Sequence, residues 1–217
     1  MSSNQQENRR FKDFKQILVI IVFGFLGLFL LHSVIFGGRV DLTKYFPSRD
    51  ITAIYYTFSP DGEAVFKEER IITKGSKSNR LDWIINSYVN KNGTFSSTGT
   101  LKGIYEVGKN KVTSTETWGG FNTGKKQIIL SNEKSWARFP EDKNMVNTYL
   151  SGKIVTLTIE AGVFRDCLEV ITETTFDKGT ITTKDYYAPN IGYIVTLIKD
   201  IGDDDFISYR ELMTYEY

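Results

Sequence analysis

Side chains that commonly carry out acid–base or nucleophilic chemistry are scarce in this 217-residue chain. Its single histidine, His32, lies in the most hydrophobic stretch, and its single cysteine is Cys167. Because residues 33–217 contain no imidazole, they cannot form a Ser-His-Asp triad, a Cys-His pair or a histidine-based zinc site. We interpret His32 as an interfacial polar residue rather than a proton relay. We interpret Cys167 as a semi-buried small hydrophobe rather than a reactive thiol.

Carboxylates are the remaining groups that could bind a metal ion or act as catalytic acids. The acidic turn contains Asp200, Asp203, Asp204 and Asp205, and oxygen-rich loops of this kind can hold calcium. The turn lacks the alternating ligand spacing of an EF-hand, and a hairpin turn is needed at this point, so we predict a solvated turn and no metal site. Pairs such as Glu68 and Glu169 could serve a glycosidase, which needs two acids at a set separation. The sequence does not give that separation, and we predict no catalytic residue and no cofactor.

The aromatic residues, the glycines and the net charge give little support to a specific binding function. Trp83, Trp118 and Trp136, with the tyrosines, could stack on sugars or line an apolar cup, although packing in a core or on a sheet face is the default role. The glycines at 119, 120 and 124 form a loop without the lysine and helix of a phosphate-binding loop. The formal net charge of +1 gives no clustered positive surface, so we predict no nucleic-acid partner.

A membrane segment is predicted near the N-terminus. No charged residue occurs between Gln16 and Gly38, and residues 17–36 are long enough to span a hydrocarbon core of roughly 30 Å. The basic residues upstream place residues 1–16 in the cytoplasm and the remainder outside the cell membrane. A cleaved signal peptide is the alternative, but its apolar region is usually shorter and ends in small residues. We therefore predict a single-pass anchor, a linker over residues 37–46 and an extracytoplasmic domain over residues 47–217.

Period-two alternation and turn residues predict that this outer domain is mainly β. The first hairpin is formed by residues 50–58 and 63–73, because Ser59-Pro-Asp-Gly62 suits a type I turn. The other predicted strands are 101–107, 111–118, 125–130, 134–139, 153–160, 163–174, 180–188, 193–199 and 206–215. Short strands joined by turns predict an antiparallel, meandering curved sheet or an open or half barrel, with at most one short helix.

Two segments need separate treatment. In residues 79–91, Leu81, Ile84, Ile85, Tyr88 and Val89 follow helical spacing, yet the same residues also fit a strand around Trp83. Helix and strand both remain open for this segment.

In the segment 186–193 the chain must reverse direction. Pro189 restricts φ to about −65°, while Asn190 and Gly192 tolerate positive φ. We therefore predict a structural turn at these three residues.

Several motifs carry a family resemblance. The residues are Lys44-Tyr-Phe-Pro47, Ala161-Gly-Val-Phe-Arg-Asp-Cys-Leu-Glu-Val170, Tyr186-Tyr-Ala-Pro-Asn-Ile-Gly-Tyr193 and Tyr209-Arg-Glu-Leu-Met-Thr-Tyr215. Together they resemble a group of bacterial extracytoplasmic proteins, often lipoproteins, with Ala-Gly-x-Phe-x-Asp/Asn-Cys and Tyr-Tyr-Ala motifs. The chain differs from that pattern in having a membrane span where many relatives carry a lipid-modified cysteine, and in having Asn190 where glycine is usual. The resemblance implies a β-rich envelope domain of unassigned role.

The functional hypothesis is a membrane-anchored binding or assembly module of the bacterial cell envelope. Its partners would be the membrane through residues 17–36 and an envelope protein, a lipid or a glycan. The alternatives are a structural subunit of a membrane complex and a carboxylate-dependent glycosidase. An apolar tunnel would favour binding, whereas two convergent carboxylates in a polar cleft would favour the enzyme.

Overall fold

The computed structural model describes residues 39–118, 121–138 and 145–217. Within them the chain forms one antiparallel sheet of eleven strands, preceded by a 3₁₀ helix at Leu42–Tyr45. The strands are β1 (Ile51–Phe58), β2 (Ala64–Lys74), β3 (Arg80–Lys91), β4 (Thr94–Val107), β5 (Lys111–Trp118), β6 (Phe121–Ser131), β7 (Val146–Ile159), β8 (Gly162–Phe176), β9 (Gly179–Ala188), β10 (Gly192–Lys199) and β11 (Ile207–Glu216). The prediction of a mainly β, antiparallel, meandering sheet is confirmed.

The sheet curves into a barrel that is nearly closed. Its strand order is β6-β5-β4-β3-β2-β1-β11-β10-β9-β8-β7. The first and last strands along the chain, β1 and β11, therefore pair in the middle of the sheet, and β6 and β7 are its edges. The edges β6 and β7 are linked by residues 136–138. Trp136 and Thr148 exchange two backbone hydrogen bonds of 2.8 Å, and the Ile128 amide donates to the Arg138 carbonyl at 3.0 Å. This seam reduces the exposed edges that an open sheet would present.

One end of the barrel is covered by residues 40–47. The Leu42 amide donates to the Lys109 carbonyl at 3.0 Å, and the Asn190 amide donates to the Lys44 carbonyl at 2.8 Å. Leu42 is fully buried, and Tyr45 and Phe46 are nearly so. The segment that the sequence assigns to a linker, residues 37–46, thus contributes core side chains from its second half, because Leu42, Tyr45 and Phe46 bury apolar surface against the barrel end.

In the segment at residues 79–91, residues 80–91 form strand β3, and the helix alternative is wrong. β3 pairs with β2 on one side and β4 on the other along most of its length. Leu81 and Trp83 are buried, which is the period-two pattern of a strand. The hairpin turn that follows β3 contains Asn92 and Gly93, which both have positive φ, 54° and 84°.

The predicted strand at residues 134–139 is also wrong over its described part, residues 134–138, in which only Trp136 forms a β-bridge. β7 begins at Val146, before the predicted start at Lys153. A bulge between Leu150 and Ile154 interrupts its pairing with β8. Gly152 has a positive φ of 77° within that bulge, and this irregularity obscures the alternation that identifies a strand.

Candidate functional site

The interior of the barrel contains a cavity of about 620 Å³. All eleven strands contribute residues to its walls, mostly at alternate positions because successive side chains of a strand point to opposite faces. Arg138 and Tyr209 line this cavity and are also exposed. They lie toward the end opposite the 3₁₀ helix, so the cavity opens there. The volume is within the range of small-molecule sites, roughly 300–1,000 Å³.

Six aromatic rings form a contiguous aromatic row along the closed part of the cavity. In order of contact they are Trp83, Tyr105, Phe46, Tyr187, Tyr193 and Tyr55. Neighbouring ring centroids are 5.4 to 6.3 Å apart, which is the normal range for tilted and edge-to-face pairs. Tyr55 also donates from its hydroxyl to the Tyr193 carbonyl at 2.7 Å. The row is therefore held in place by packing and hydrogen bonding.

The arginine–glutamate cluster consists of Glu68, Arg70 and Arg210. Arg70 donates from Nε and Nη2 to Glu68 Oε2 at 3.1 and 2.8 Å. Arg210 Nη2 lies 3.2 Å from the other carboxylate oxygen, Oε1. The guanidinium carbon of Arg70 lies 4.7 Å from the Tyr55 ring centroid and 5.3 Å from that of Tyr193. One carboxylate thus bridges two guanidinium groups, one of which stacks on the aromatic row.

Opposite environments shift the pKa of two carboxyl groups in opposite directions. Burial alone would raise the pKa of Glu68, but the charges of Arg70 and Arg210 outweigh it and hold the pKa below its usual value. Burial raises the pKa of Asp185, although Thr196 donates a hydrogen bond to it and Arg138, Arg210 and Arg70 act in the opposite direction. Glu68 is consequently the more firmly ionised of the two.

Neutral polar groups also line the cavity. The Thr196 hydroxyl lies 2.7 Å from the Tyr193 hydroxyl, and Ser114 accepts from Trp83 Nε1 at 3.2 Å. Gln127 donates to Glu116. Three further threonines line the cavity, namely Thr148, Thr172 and Thr183. The cavity therefore offers both hydrogen-bond donors and acceptors, and it is not an apolar tunnel.

The carboxylates considered for a glycosidase are not brought together. Glu68 binds the cavity-lining Arg70 and Arg210. Glu169 follows Leu168 and precedes the cavity-lining Val170 on β8, so it points to the opposite face, where it accepts from the Tyr186 hydroxyl at 2.7 Å. Two other carboxylates, Glu116 and Asp185, line the cavity instead. The sequence did not single out either of them.

The acidic turn lies away from the cavity. Asp200, Asp203, Asp204 and Asp205 are exposed in the connection between β10 and β11. Asp200 accepts from the backbone amide of Ile201 at 2.7 Å. Among residues 39–118, 121–138 and 145–217, no group of three or more His, Cys, Asp or Glu side chains is arranged to hold a metal ion.

The turn at Pro189, Asn190 and Gly192 supports the closed end of the barrel. Asn190 and Gly192 have positive φ values of 62° and 98°. A Cβ atom on Gly192 would lie 3.7 Å from Pro47 Cδ. The turn therefore lies against the covering segment and places Tyr187 and Tyr193, on either side of it, in the aromatic row.

Cys167 is completely buried on β8, and burial raises the pKa of its thiol to about 11. A residue with positive φ precedes it, Asp166 at 56°. The positive φ of Asp166 interrupts the alternation of inward and outward side chains along β8, and the sequence did not indicate this interruption.

Trp83 and Trp136 line the cavity, as one of the interpretations of the tryptophans allows. The side chain of Trp118 lies outside the described part. Arg70, Asp185 and Arg210 were not predicted from the sequence, although a signal was present for Arg70. Arg70 lies two residues before the buried Ile72 on β2 and therefore on the same face of the strand. A charged residue at an inward-facing position of a strand was the signal.

The predicted membrane span, residues 17–36, also lies outside the described residues. Among the residues that are described, no helix is both long and apolar enough to cross a bilayer. The single-pass topology stays a prediction.

Comparisons with known proteins find no matching family model and no matching curated protein. Two crystal structures are similar to the chain. One is of a lipoprotein candidate from Parabacteroides distasonis, with 16% identity over 81% of this chain and 100% of that chain, at a TM-score of 0.47. The other is of a candidate exported protein with a YmcC-like fold from Bacteroides fragilis, with 14% identity over 79% and 98%, at a TM-score of 0.48. Likenesses this distant do not assign a location or a function to the chain.

Proposed function

We propose that this protein is a membrane-anchored, extracytoplasmic module that binds a small polar molecule inside its barrel. The observation that carries the proposal is the cavity of about 620 Å³, walled by the aromatic row and by charged side chains that are held in fixed positions. Preformed concave sites with a few well-placed polar groups are the usual form of small-molecule sites. Location outside the cell membrane is supported by the apolar run at residues 17–36 and its basic flank.

Binding is favoured over catalysis by the state of the carboxylates. Glu68 uses both oxygens to hold Arg70 and Arg210, so it is not available as a base or a nucleophile. The two carboxyl groups that line the cavity, Asp185 and Glu116, accept hydrogen bonds from Thr196 and Gln127. A glycosidase needs two carboxyl groups acting on one bond. If the wild type converted a bound molecule into products and Asp185→Asn did not, the protein would be an enzyme and the binding proposal would be wrong.

The binding proposal is tested by filling the cavity. Thr172 lines it, whereas Thr175 is exposed at an outward-facing position of the same strand. The full-length chain and the variants Thr172→Trp and Thr175→Trp are purified in detergent, and the molecules released on denaturation are identified by mass spectrometry. We expect a small polar molecule with the wild type and Thr175→Trp and its loss from Thr172→Trp. Equal recovery from all three, or none from any, would contradict binding inside the barrel.

Topology is tested by labelling. Thr98 is exposed, and the native Cys167 is completely buried. In intact cells, a membrane-impermeant maleimide should label Thr98→Cys and leave the wild type unlabelled. Labelling of Thr98→Cys only after the cells are lysed would place the barrel in the cytoplasm.

A further inference from the structure

We propose that the molecule bound in the cavity is a neutral saccharide. This inference rests on the proposed binding function and specifies its ligand class. Three properties of the cavity point to it: a row of aromatic rings, a balance of formal charges, and polar groups of both hydrogen-bonding kinds on many strands.

The aromatic row provides a surface of the type that sugar rings pack against. The faces of aromatic rings carry partial negative charge, and the C–H bonds on one face of a pyranose present partial positive charge to them. Tyr105 is the ring in this row best placed to act as a platform, because it is only partly buried and lines the cavity between Trp83 and Phe46. The faces of Tyr55 and Tyr193 are in contact with the Arg70 guanidinium.

The charges of the cavity balance. Its walls carry three guanidinium groups, from Arg70, Arg138 and Arg210, and two carboxyl groups, from Glu116 and Asp185, and Glu68 adds a third carboxylate on the same inward-facing side of β2 as Arg70. A formally neutral site does not favour a strongly anionic or cationic ligand. An apolar ligand is disfavoured as well, because it would remove water from these charged groups without replacing their hydrogen bonds.

Hydroxyl groups match the mixed donors and acceptors of the wall. A hydroxyl both donates and accepts, whereas guanidinium groups only donate and carboxylates only accept. Asp185 accepts from Thr196 through Oδ1, and its Oδ2 has no hydrogen-bond partner among the described residues. Arg70 donates to Glu68 through Nε and Nη2. Its third nitrogen, Nη1, makes no hydrogen bond to the described residues. Neighbouring hydroxyls of one sugar ring could bind these donor and acceptor atoms together.

The test uses the full-length chain in detergent and a panel of neutral mono- and disaccharides, sugar acids, sugar phosphates and fatty acids, with affinities measured by calorimetry. We expect a neutral saccharide to bind, with an affinity that changes less than about 2-fold between 0.05 and 0.5 M NaCl, because screening acts on ionic attraction. Preferential binding of a sugar acid, a sugar phosphate or a fatty acid would overturn the inference.

Variants locate the sugar on the aromatic row. Tyr105→Leu removes the ring and should weaken binding about 10-fold or more, whereas Tyr105→Phe keeps the ring and should stay within about 3-fold. Tyr149 lies on β7 next to the cavity-lining Thr148 and points outward, so Tyr149→Leu is the matched control and should bind normally. Asp185→Asn, which removes an acceptor charge without removing a ring, should also weaken binding about 10-fold. Unchanged affinity in folded Tyr105→Leu and Asp185→Asn would overturn the inference.

The two proposals fail in different ways. If a molecule that is not a neutral saccharide is displaced by Thr172→Trp, the barrel still binds a ligand and only the saccharide assignment is wrong. If Thr172→Trp displaces nothing, the interior is not a binding site and both proposals fall together.

Discussion

Glu68 should be a strong contributor to stability within the cavity wall, because one carboxylate compensates two guanidinium groups. The exposed fractions of the side chains are 18% for Glu68, 16% for Arg70 and 28% for Arg210. In Glu68→Gln the side chain keeps its shape but loses its charge, and its amide group brings N–H donors toward arginines that also donate. Removing one partner of a mostly buried ion pair costs about 3 kcal/mol. For a domain of this size that corresponds to a fall in Tm of about 6–12 °C.

The matched control is Glu69→Gln. Glu69 is the next residue of β2, points to the other face and accepts from Asn86 Nδ2 at 3.0 Å. A glutamine at this position can still accept that hydrogen bond, so we expect a loss of about 0.5 kcal/mol or less. The wild type and both variants are unfolded in urea as full-length chains in detergent. Their urea midpoints are compared, provided that the m value, the slope of the unfolding free energy against urea concentration, is unchanged.

The pH dependence provides a second readout with a defined sign. The pKa of Glu68 is lower in the folded protein than in the unfolded chain, where it is about 4.3. Its contribution to stability is therefore complete above pH 4.3, shrinks as the pH falls toward the folded pKa, and is lost below that value. The difference between wild type and Glu68→Gln should be full at pH 7 and should narrow below about pH 4. Equal stability of Glu68→Gln and Glu69→Gln at pH 7, or a difference that widens in acid, would refute this account.

Two other predictions concern packing and reactivity. Gly103→Ala should destabilise the fold by about 2 kcal/mol or more in thermal unfolding, because a Cβ would lie 2.3 Å from Trp83 Cζ2 and 2.4 Å from the Thr115 carbonyl oxygen; an unchanged Tm would contradict the close packing of Trp83. Cys167, with a thiol pKa raised to about 11 by burial, should react with a maleimide at pH 7 only after unfolding in urea, and rapid labelling of the folded chain would show that the strand opens locally.

Much of the fold could be predicted from local patterns. The hairpin of β1 and β2 follows from alternation on either side of Ser59-Pro-Asp-Gly62, and the structure has this turn with Gly62 at a positive φ of 81°. The segment at residues 79–91 was ambiguous because Leu81, Ile84 and Ile85 fit a helical stripe as well as a strand. Pairing with β2 and β4 decided it, and those partners lie up to 26 residues away along the chain.

The candidate site was much harder to anticipate. The sequence indicated that tryptophans and tyrosines could form a ligand surface, but it did not indicate which rings meet. Phe46 joins Tyr105 to Tyr187 only because the segment at residues 40–47 covers the barrel end. Likewise, Arg70 and Arg210 are remote in sequence, and they share Glu68 because β1 lies between β2 and β11 in the sheet.

The amino-acid sequence by itself determined the β class, most strand positions, the predicted anchor at residues 17–36 and the lack of imidazole chemistry after His32. These properties depend on residue type and on spacing along a few positions, so a linear pattern contains them. The tertiary structure alone decided the seam at Trp136, the aromatic row and the compensated charges of the interior. Each of these depends on which strands become neighbours when the sheet curves, and that is set by the packing of the whole barrel rather than by any one segment.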